Sequence, residues 1–332
     1  MARVAINGLG RIGRATLKIL LDTPELEVVG INDLVPPDNL AYLLRFDTAY
    51  GRWDRSVEGT EGGLVIDGAT YPVYNHKDPE QLPWKDLDVD VVIESTGVFT
   101  TGSDLEKHIR AGARYVVLSA PAKGGDVPTV VHGVNQPESG TRILSCASCT
   151  TNCITPVVEV MQRRIGVKKA IMTTIHAYTS SQGIVDSPAT KWRRGRAGAA
   201  NFVPTSTGAA KATTKALPEL EGRFDGVAVR APIPVGSIAD IIFLTERETT
   251  VEEVNAIFKE EAGSDRYRDI LGASEDELVS SDIVQDPRAS IVDLPMTQVV
   301  DGDLVKVMSW YDNEWGYSQQ MVRETLRIAA TL

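Results

Sequence analysis

All three cysteines of the chain lie in one short stretch, Ser145-Cys146-Ala147-Ser148-Cys149-Thr150-Thr151-Asn152-Cys153. Residues Thr141 to Leu144 read as a strand, and Ile154, Val157, Val158, Met161 and Ile165 recur at helical spacing. Cys149 is therefore expected where a strand hands over to a helix N-terminus. Unpaired amide N–H groups and the helix dipole favour an anion there and push a thiol toward thiolate. The chemistry this implies is attack by the Cys149 sulfur on an electrophile. Other uses compete: a free cysteine is commonly a small buried apolar side chain, and positions this close on one helical turn do not suit a disulfide. The C-x2-C-x3-C spacing offers three thiolates to a metal. Structural zinc wants four ligands, however, and the four histidines (His76, His108, His132, His176) are scattered, so no metal is expected.

A second constellation opens the chain. Arg3 to Asn7 is a short apolar strand, followed by Gly8-Leu9-Gly10-Arg11-Ile12-Gly13, a helical segment from Arg14 to Leu21, and the strand Val28 to Asn32. Glycines at this spacing permit a tight turn and close approach of backbone to a pyrophosphate, and the helix N-terminus supplies the positive end. Asp33, 20 residues past Gly13, is placed to take the ribose hydroxyls. Its carboxylate would repel a 2′-phosphate and Leu34 offers no cation, so NAD is expected rather than NADP.

These residues need a scaffold. Asp38 to Phe46 reads as a helix, Leu64 to Val73 as a hairpin turning at Asp67-Gly68, and Asp90 to Ser95 and Tyr115 to Ser119 as buried parallel strands with a helix between them. Alternation of this kind implies an α/β fold with a doubly wound sheet, and ligands bind at the carboxyl ends of its strands. Gly8, Asp33, Thr96, Ser119 and Cys149 would all fall there.

After the helix beyond Cys149 the texture changes. A strand from Lys168 ends at His176, and a long polar stretch from Ser180 to Pro204 shows no clear period. A helix opens near Thr205 to Lys211, Val227 to Arg230 and Ile238 to Leu244 read as antiparallel-type strands, and Val251 to Ala262 reads as a helix. Leu304 to Trp310 is a last strand, and Tyr317 to Ala330 a closing amphipathic helix. Two domains are expected: 1–148, rejoined by the C-terminal segment 313–332, and an α+β domain, 149–312, with a largely antiparallel sheet. The chain has 332 residues, 42% hydrophobic, with a formal charge of -11 and pI near 5.0. That charge argues against nucleic acid or anionic membrane as the main partner. No apolar run reaches bilayer length and no signal peptide is evident, so a soluble, cytoplasmic protein is expected.

Taken together the stretches resemble phosphorylating glyceraldehyde-3-phosphate dehydrogenases. Asn7 to Arg14, the Ala147 to Cys153 box, Ser206-Thr207-Gly208-Ala209-Ala210-Lys211 and Trp310 to Tyr317 match that family in order, over essentially the whole chain. The resemblance implies that Cys149 attacks the aldehyde of glyceraldehyde 3-phosphate, with His176 as its base partner. The hemithioacetal gives a hydride to NAD, and inorganic phosphate releases the thioester as 1,3-bisphosphoglycerate. It assigns Thr179 and Arg230 to the substrate phosphate, and Ser148, Thr150, Arg194, Thr207 and Gly208 to the inorganic one. Coenzyme contacts carried over are Arg11, Ile12, Asp33, Lys77, Ser119 and Asn313, beside Gly8, Gly10 and Thr96 from the fingerprint reading. Lys77 stands where the family usually has arginine. A homotetramer is also implied. A related dehydrogenase acting on erythrose 4-phosphate or a semialdehyde, and a non-catalytic NAD-sensing protein, are the competing readings.

Overall fold

In the computed structural model, which describes residues 1–124 and 126–332, the chain divides into two units. The first comprises Met1–His132, Gln136–Ala147 and Ser318–Leu332; the second comprises Gly133–Asn135 and Ser148–Tyr317.

The first unit is built on an eight-stranded sheet. Its strands are β1 (Ala2–Asn7), β2 (Leu26–Asn32), β5 (Val57–Thr60), β6 (Gly63–Ile66), β7 (Ala69–Tyr74), β8 (Val91–Glu94), β9 (Tyr115–Leu118) and β10 (Ile143–Ser145), in the spatial order β10-β9-β8-β1-β2-β7-β6-β5. A two-stranded ribbon, β3 (Phe46–Asp47) with β4 (Gly51–Arg52), stands apart from it. From β10 to β7 every pairing is parallel, whereas β6 and β5 are antiparallel. The apolar run Val91 to Ile93 of β8 is wholly buried, as parallel sheets covered on both faces require. Asp67 (φ 48°) and Gly68 (φ 83°) form the left-handed pair of a tight hairpin turn between β6 and β7. Helices α1 (Arg11–Leu21), α2 (Pro37–Arg45) and α3 (Gly102–Arg110) belong to this unit; α3 starts at a capping box between Thr101 and Asp104.

The second unit holds a seven-stranded sheet, β12-β13-β11-β14-β17-β16-β15, made of β11 (Val167–Ala177), β12 (Val203–Ser206), β13 (Phe224–Ala231), β14 (Ser237–Thr245), β15 (Leu271–Ser274), β16 (Ser290–Val300) and β17 (Leu304–Tyr311). Helices α4 (Cys149–Arg164), α5 (Ala209–Ala216) and α6 (Val251–Ala262) supply Val157, Met161, Ala210, Val254 and Phe258 to a core with Met172, Ile241, Phe243, Val305 and Val307 of the sheet. Strict alternation of buried and half-buried residues along β14 is the sign of one covered face. The opposite face leaves Ile171, Val227 and Leu304 exposed. The closing helix α7 (Trp315–Ala329) joins the first unit from Ser318 onward.

Some expectations are corrected. β13 pairs in parallel with β11, although the rest of the sheet around it is antiparallel. The stretch from Ser180 to Pro204 contains single 3-10 turns at Trp192–Gly195 and Gly198–Ala200 and then enters β12. Strands β15 and β16 have no counterpart in the sequence reading.

Candidate active site

In the second unit, the first residue of α4 is Cys149 and Ser148 is its N-cap, accepting a hydrogen bond from the Thr151 amide at 3.2 Å. Ala147 enters this turn with φ 57°, a left-handed conformation seldom adopted by a residue with a Cβ. The Cys149 sulfur lies 3.3 Å from Nε2 of His176, which the last residues of β11 carry. His176 Nδ1 is 2.7 Å from the Ala177 carbonyl and 2.5 Å from Nη1 of Arg230 on the adjacent β13. Tyr311, buried behind the ring and edge-on to it, connects Thr150 Oγ1 (2.9 Å) with Thr174 Oγ1 (2.8 Å). The hydroxyl of Tyr311 thus ties the first turn of α4 to β11. It stands in the last strand of the sheet, 162 positions after the nucleophile, and the sequence reading gave it no role.

The electrostatics correct one expectation. The helix N-terminus was expected to bias Cys149 toward thiolate. Burial instead raises the thiol above its usual range, opposed by the charge of Arg230 and the amide of Thr150. Burial, and then the Arg230 charge, push His176 down to about 3. Burial thus favours the uncharged form of each group. Cys153, one turn on, is pushed up by burial to about 12 and contacts Ser290 and Ser309; Cys146 is buried and also raised. Both behave as packing residues. No group of His, Cys, Asp and Glu suited to a metal occurs among the described residues.

Two cations converge on this pair. Arg194 and Arg230 both act on His176 and on each other. Arg194 Nε donates to Thr205 Oγ1 at 3.0 Å, at the start of the segment that carries Thr207. The Thr207 hydroxyl accepts from the Ala209 amide at 3.2 Å, and Gly208 is the N-cap of α5, which has no side-chain cap. Thr179 Oγ1 pairs with Ser181 Oγ at 2.8 Å. Asn313 is buried, its Oδ1 accepting from Gly236 N (3.1 Å) and Ser237 Oγ (3.0 Å). Ser237 Oγ also accepts from Ala177 N, so Asn313 braces the end of the strand that holds His176.

A separate cleft of about 360 Å³ occupies the carboxyl ends of β1, β2 and β8 in the first unit, lined by Gly8, Gly10, Asp33, Lys77 and Thr96, with Asn7 at its base. Gly8 (φ 95°) abuts Thr96, and a Cβ on Gly13 would lie 1.9 Å from the Gly8 carbonyl oxygen, so neither position admits a side chain. Gly10 faces open space and caps α1 without a side-chain acceptor, leaving room for an anion at the amides. Asp33 accepts from the Leu9 and Val35 amides at 2.7 and 2.9 Å. This arrangement fits a dinucleotide. Arg11 and Ile12 start α1 outside the cleft lining, with the Arg11 guanidinium paired to Asp47 and over Tyr50. Ser119 follows β9, its amide donating to the Glu94 carbonyl at 2.9 Å, and does not line the cleft either.

Behind the cleft lies a buried network that the sequence reading missed. Glu94, with no exposed surface, accepts from Asn7 Nδ2 (2.6 Å), Thr96 N (2.8 Å), Thr96 Oγ1 (2.5 Å) and His108 Nε2 (3.0 Å). Trp84 Nε1 donates to His108 Nδ1 at 3.0 Å, which fixes the ring hydrogen on Nε2. Asn32 Nδ2 in turn donates to Asn7 Oδ1 at 2.7 Å.

Comparison with known proteins agrees with both halves. Residues 2–102 match the glyceraldehyde 3-phosphate dehydrogenase NAD binding domain, and residues 148–313 match the glyceraldehyde 3-phosphate dehydrogenase C-terminal domain. Relatives named glyceraldehyde-3-phosphate dehydrogenase include one from Thermotoga maritima, 49% identical with 99% of each chain covered, and one from Streptomyces coelicolor, 46% identical with 99% of each covered. Another, from Clostridium pasteurianum, is 47% identical over 97% of each chain. With the nucleophile pair, the glycine-lined cleft and full-length relatives all in agreement, this chain belongs to the glyceraldehyde-3-phosphate dehydrogenase family, NAD-dependent oxidoreductases acting on an aldehyde.

Proposed function

We propose that the protein oxidises D-glyceraldehyde 3-phosphate to 1,3-bisphosphoglycerate, and runs the reverse reaction, through a thioester on Cys149. The observation that carries this reading is the 3.3 Å approach of the Cys149 sulfur to His176 Nε2 at the mouth of α4. As the sulfur attacks the carbonyl carbon, the thiol proton passes to Nε2, and the imidazolium stands beside the oxygen where negative charge develops. A bound NAD supplies the hydride acceptor; Gly8, Gly10, Asp33, Lys77 and Thr96 would hold it, with Arg11, Ile12, Ser119 and Asn313 as further contacts. Arg230 and Thr179 take the substrate phosphate. Arg194, Ser148, Thr150, Thr207 and Gly208 take the attacking phosphate, which leaves the sulfur free again as the acyl phosphate departs. The converging charges of Arg194 and Arg230 support two oxyanion subsites.

The exposed Ile171, Val227 and Leu304 on the uncovered sheet face support assembly with further copies, as the homotetramer expected from resemblance would provide. No helix among the described residues is long and apolar enough to cross a membrane, and a cytoplasmic location accords with the reading. The test is NADH formation from glyceraldehyde 3-phosphate with and without phosphate. Turnover should require phosphate or arsenate and vanish in Cys149→Ser, which still binds NAD. Equal turnover without either anion, or an active serine variant, would overturn the mechanism.

A further inference from the structure

The side-chain amide of Asn313 is held in one orientation by its surroundings. Its Oδ1 accepts from the Gly236 backbone N–H at 3.1 Å and from the Ser237 hydroxyl at 3.0 Å. A backbone N–H can only donate, so turning the amide over would set an NH2 against it. The Ser237 hydroxyl is committed as well: its oxygen accepts from the Ala177 amide at 3.1 Å, and its one hydrogen goes to Oδ1. Donation therefore runs in one direction, from Ala177 through Ser237 to Asn313. Nδ2 is left with two hydrogens and no hydrogen-bond partner among the described residues.

Each partner is fixed by its own local structure. Gly236 has φ 89°, and a Cβ there would come within 2.4 Å of the Ser280 carbonyl oxygen, so no side chain is admitted and the N–H keeps its direction. Ser237 is buried and begins β14, opposite Tyr311 at the end of β17. The turn after Tyr311 is pinned by Asp312, whose carboxylate accepts from the Gln285, Glu314 and Trp315 amides, each at 2.8 Å. Rotation about its last side-chain bond is the freedom that remains to the buried Asn313, and the two donors on Oδ1 remove it.

We propose that Ser237 is a positioning residue that locks the Asn313 amide with its NH2 free, so that the coenzyme meets donors alone and its nicotinamide carboxamide is held by the carbonyl oxygen. This rests on the reading above, in which Asn313 contacts the coenzyme. A carbonyl oxygen gains a hydrogen bond at Nδ2, whereas an NH2 in its place confronts another donor. Without the Ser237 hydroxyl, Oδ1 keeps a single donor and the amide turns more freely. The nicotinamide then loses a directed partner, while the rest of the coenzyme keeps the contacts that the glycine-lined cleft gives it.

Calorimetric titration of the full chain with NAD and with ADP-ribose, which is NAD without its nicotinamide, separates this role from a merely structural one. In Ser237→Ala the affinity for NAD should fall about three- to tenfold, the worth of one directed hydrogen bond, and the affinity for ADP-ribose should not change. Equal losses for the two ligands would mark a general disturbance around Ala177 and overturn the proposal, as would an unchanged affinity for NAD. Should alanine prevent folding, Ser237→Cys keeps a side chain of similar size with a much weaker donor and is read by the same comparison. Equal losses with phosphate-dependent NADH formation intact in the wild type remove this proposal alone. A loss confined to NAD, in a protein whose wild type lacks that turnover, removes the catalytic reading alone.

Discussion

Replacing Glu94 by glutamine tests whether the floor of the cofactor cleft depends on a carboxylate. Both oxygens of Glu94 serve only as acceptors, for Asn7 Nδ2, His108 Nε2 and the amide and hydroxyl of Thr96. If the new NH2 takes the place of Oε2, it confronts two N–H donors, and His108 cannot yield because its Nδ1 is held by Trp84. If it takes the place of Oε1, the Thr96 hydroxyl can rotate, but the Thr96 amide is left facing another donor. The second arrangement is the less costly. One buried unsatisfied N–H costs about 1–3 kcal/mol, and losing the ionic character of the remaining bonds raises the total to about 2–4 kcal/mol. Asn7 and Thr96 both line the cleft, so NAD affinity should fall as well, by roughly tenfold or about 1.4 kcal/mol. Denaturant unfolding gives the first quantity and calorimetric titration with NAD the second. A stability loss below about 0.5 kcal/mol with unchanged NAD affinity would refute the argument, since that is the range of an indifferent surface substitution.

Two further outcomes concern the nucleophile pair. Because burial raises the Cys149 thiol, its alkylation by iodoacetamide in the ligand-free protein should climb steadily from pH 6 to pH 9, about tenfold per unit, and outpace Cys153, which is pushed up to about 12. A plateau across neutral pH would show a preformed thiolate instead. His176 is held neutral by folding, at about 3 against an ordinary 6.5. Its contribution to stability is therefore fully present above pH 6.5 and is lost as pH falls toward 3, by several kcal/mol in all. His176→Gln should flatten that part of the acid-unfolding curve; an unchanged slope would show that other groups govern it.

What could be read from the sequence, and what could not, divides along physical lines. Gly8, Gly10 and Gly13 between two apolar strands carry their own backbone logic, and the Cβ clashes at Gly8 and Gly13 show why. The helix Val251 to Ala262 was legible to the residue, since Thr250 caps it and Gly263 ends it. The start of α4 was less so: its first turn, Cys149 to Asn152, is polar, and apolar spacing begins only at Cys153. β16 escaped because Pro295 and a register shift between Asp293 and Gln298 break its alternation. The direction of β13 is a matter of topology, which a period of two does not encode. Glu94, His108 and Trp84 are joined only by the folding of the sheet and α3, so their spacing held no signal. Likewise, the shift of Cys149 depended on burial that the position of a helix end does not disclose.

The left-handed turn at Ala147 has a consequence for how the protein comes into being. An alanine in that conformation is disfavoured by about 1–2 kcal/mol, so the bend does not nucleate by itself and persists only once β10 and α4 have consolidated on either side of it. The approach of the sulfur to His176 therefore exists only in the folded second unit, and an unfolded chain carries a cysteine of ordinary reactivity.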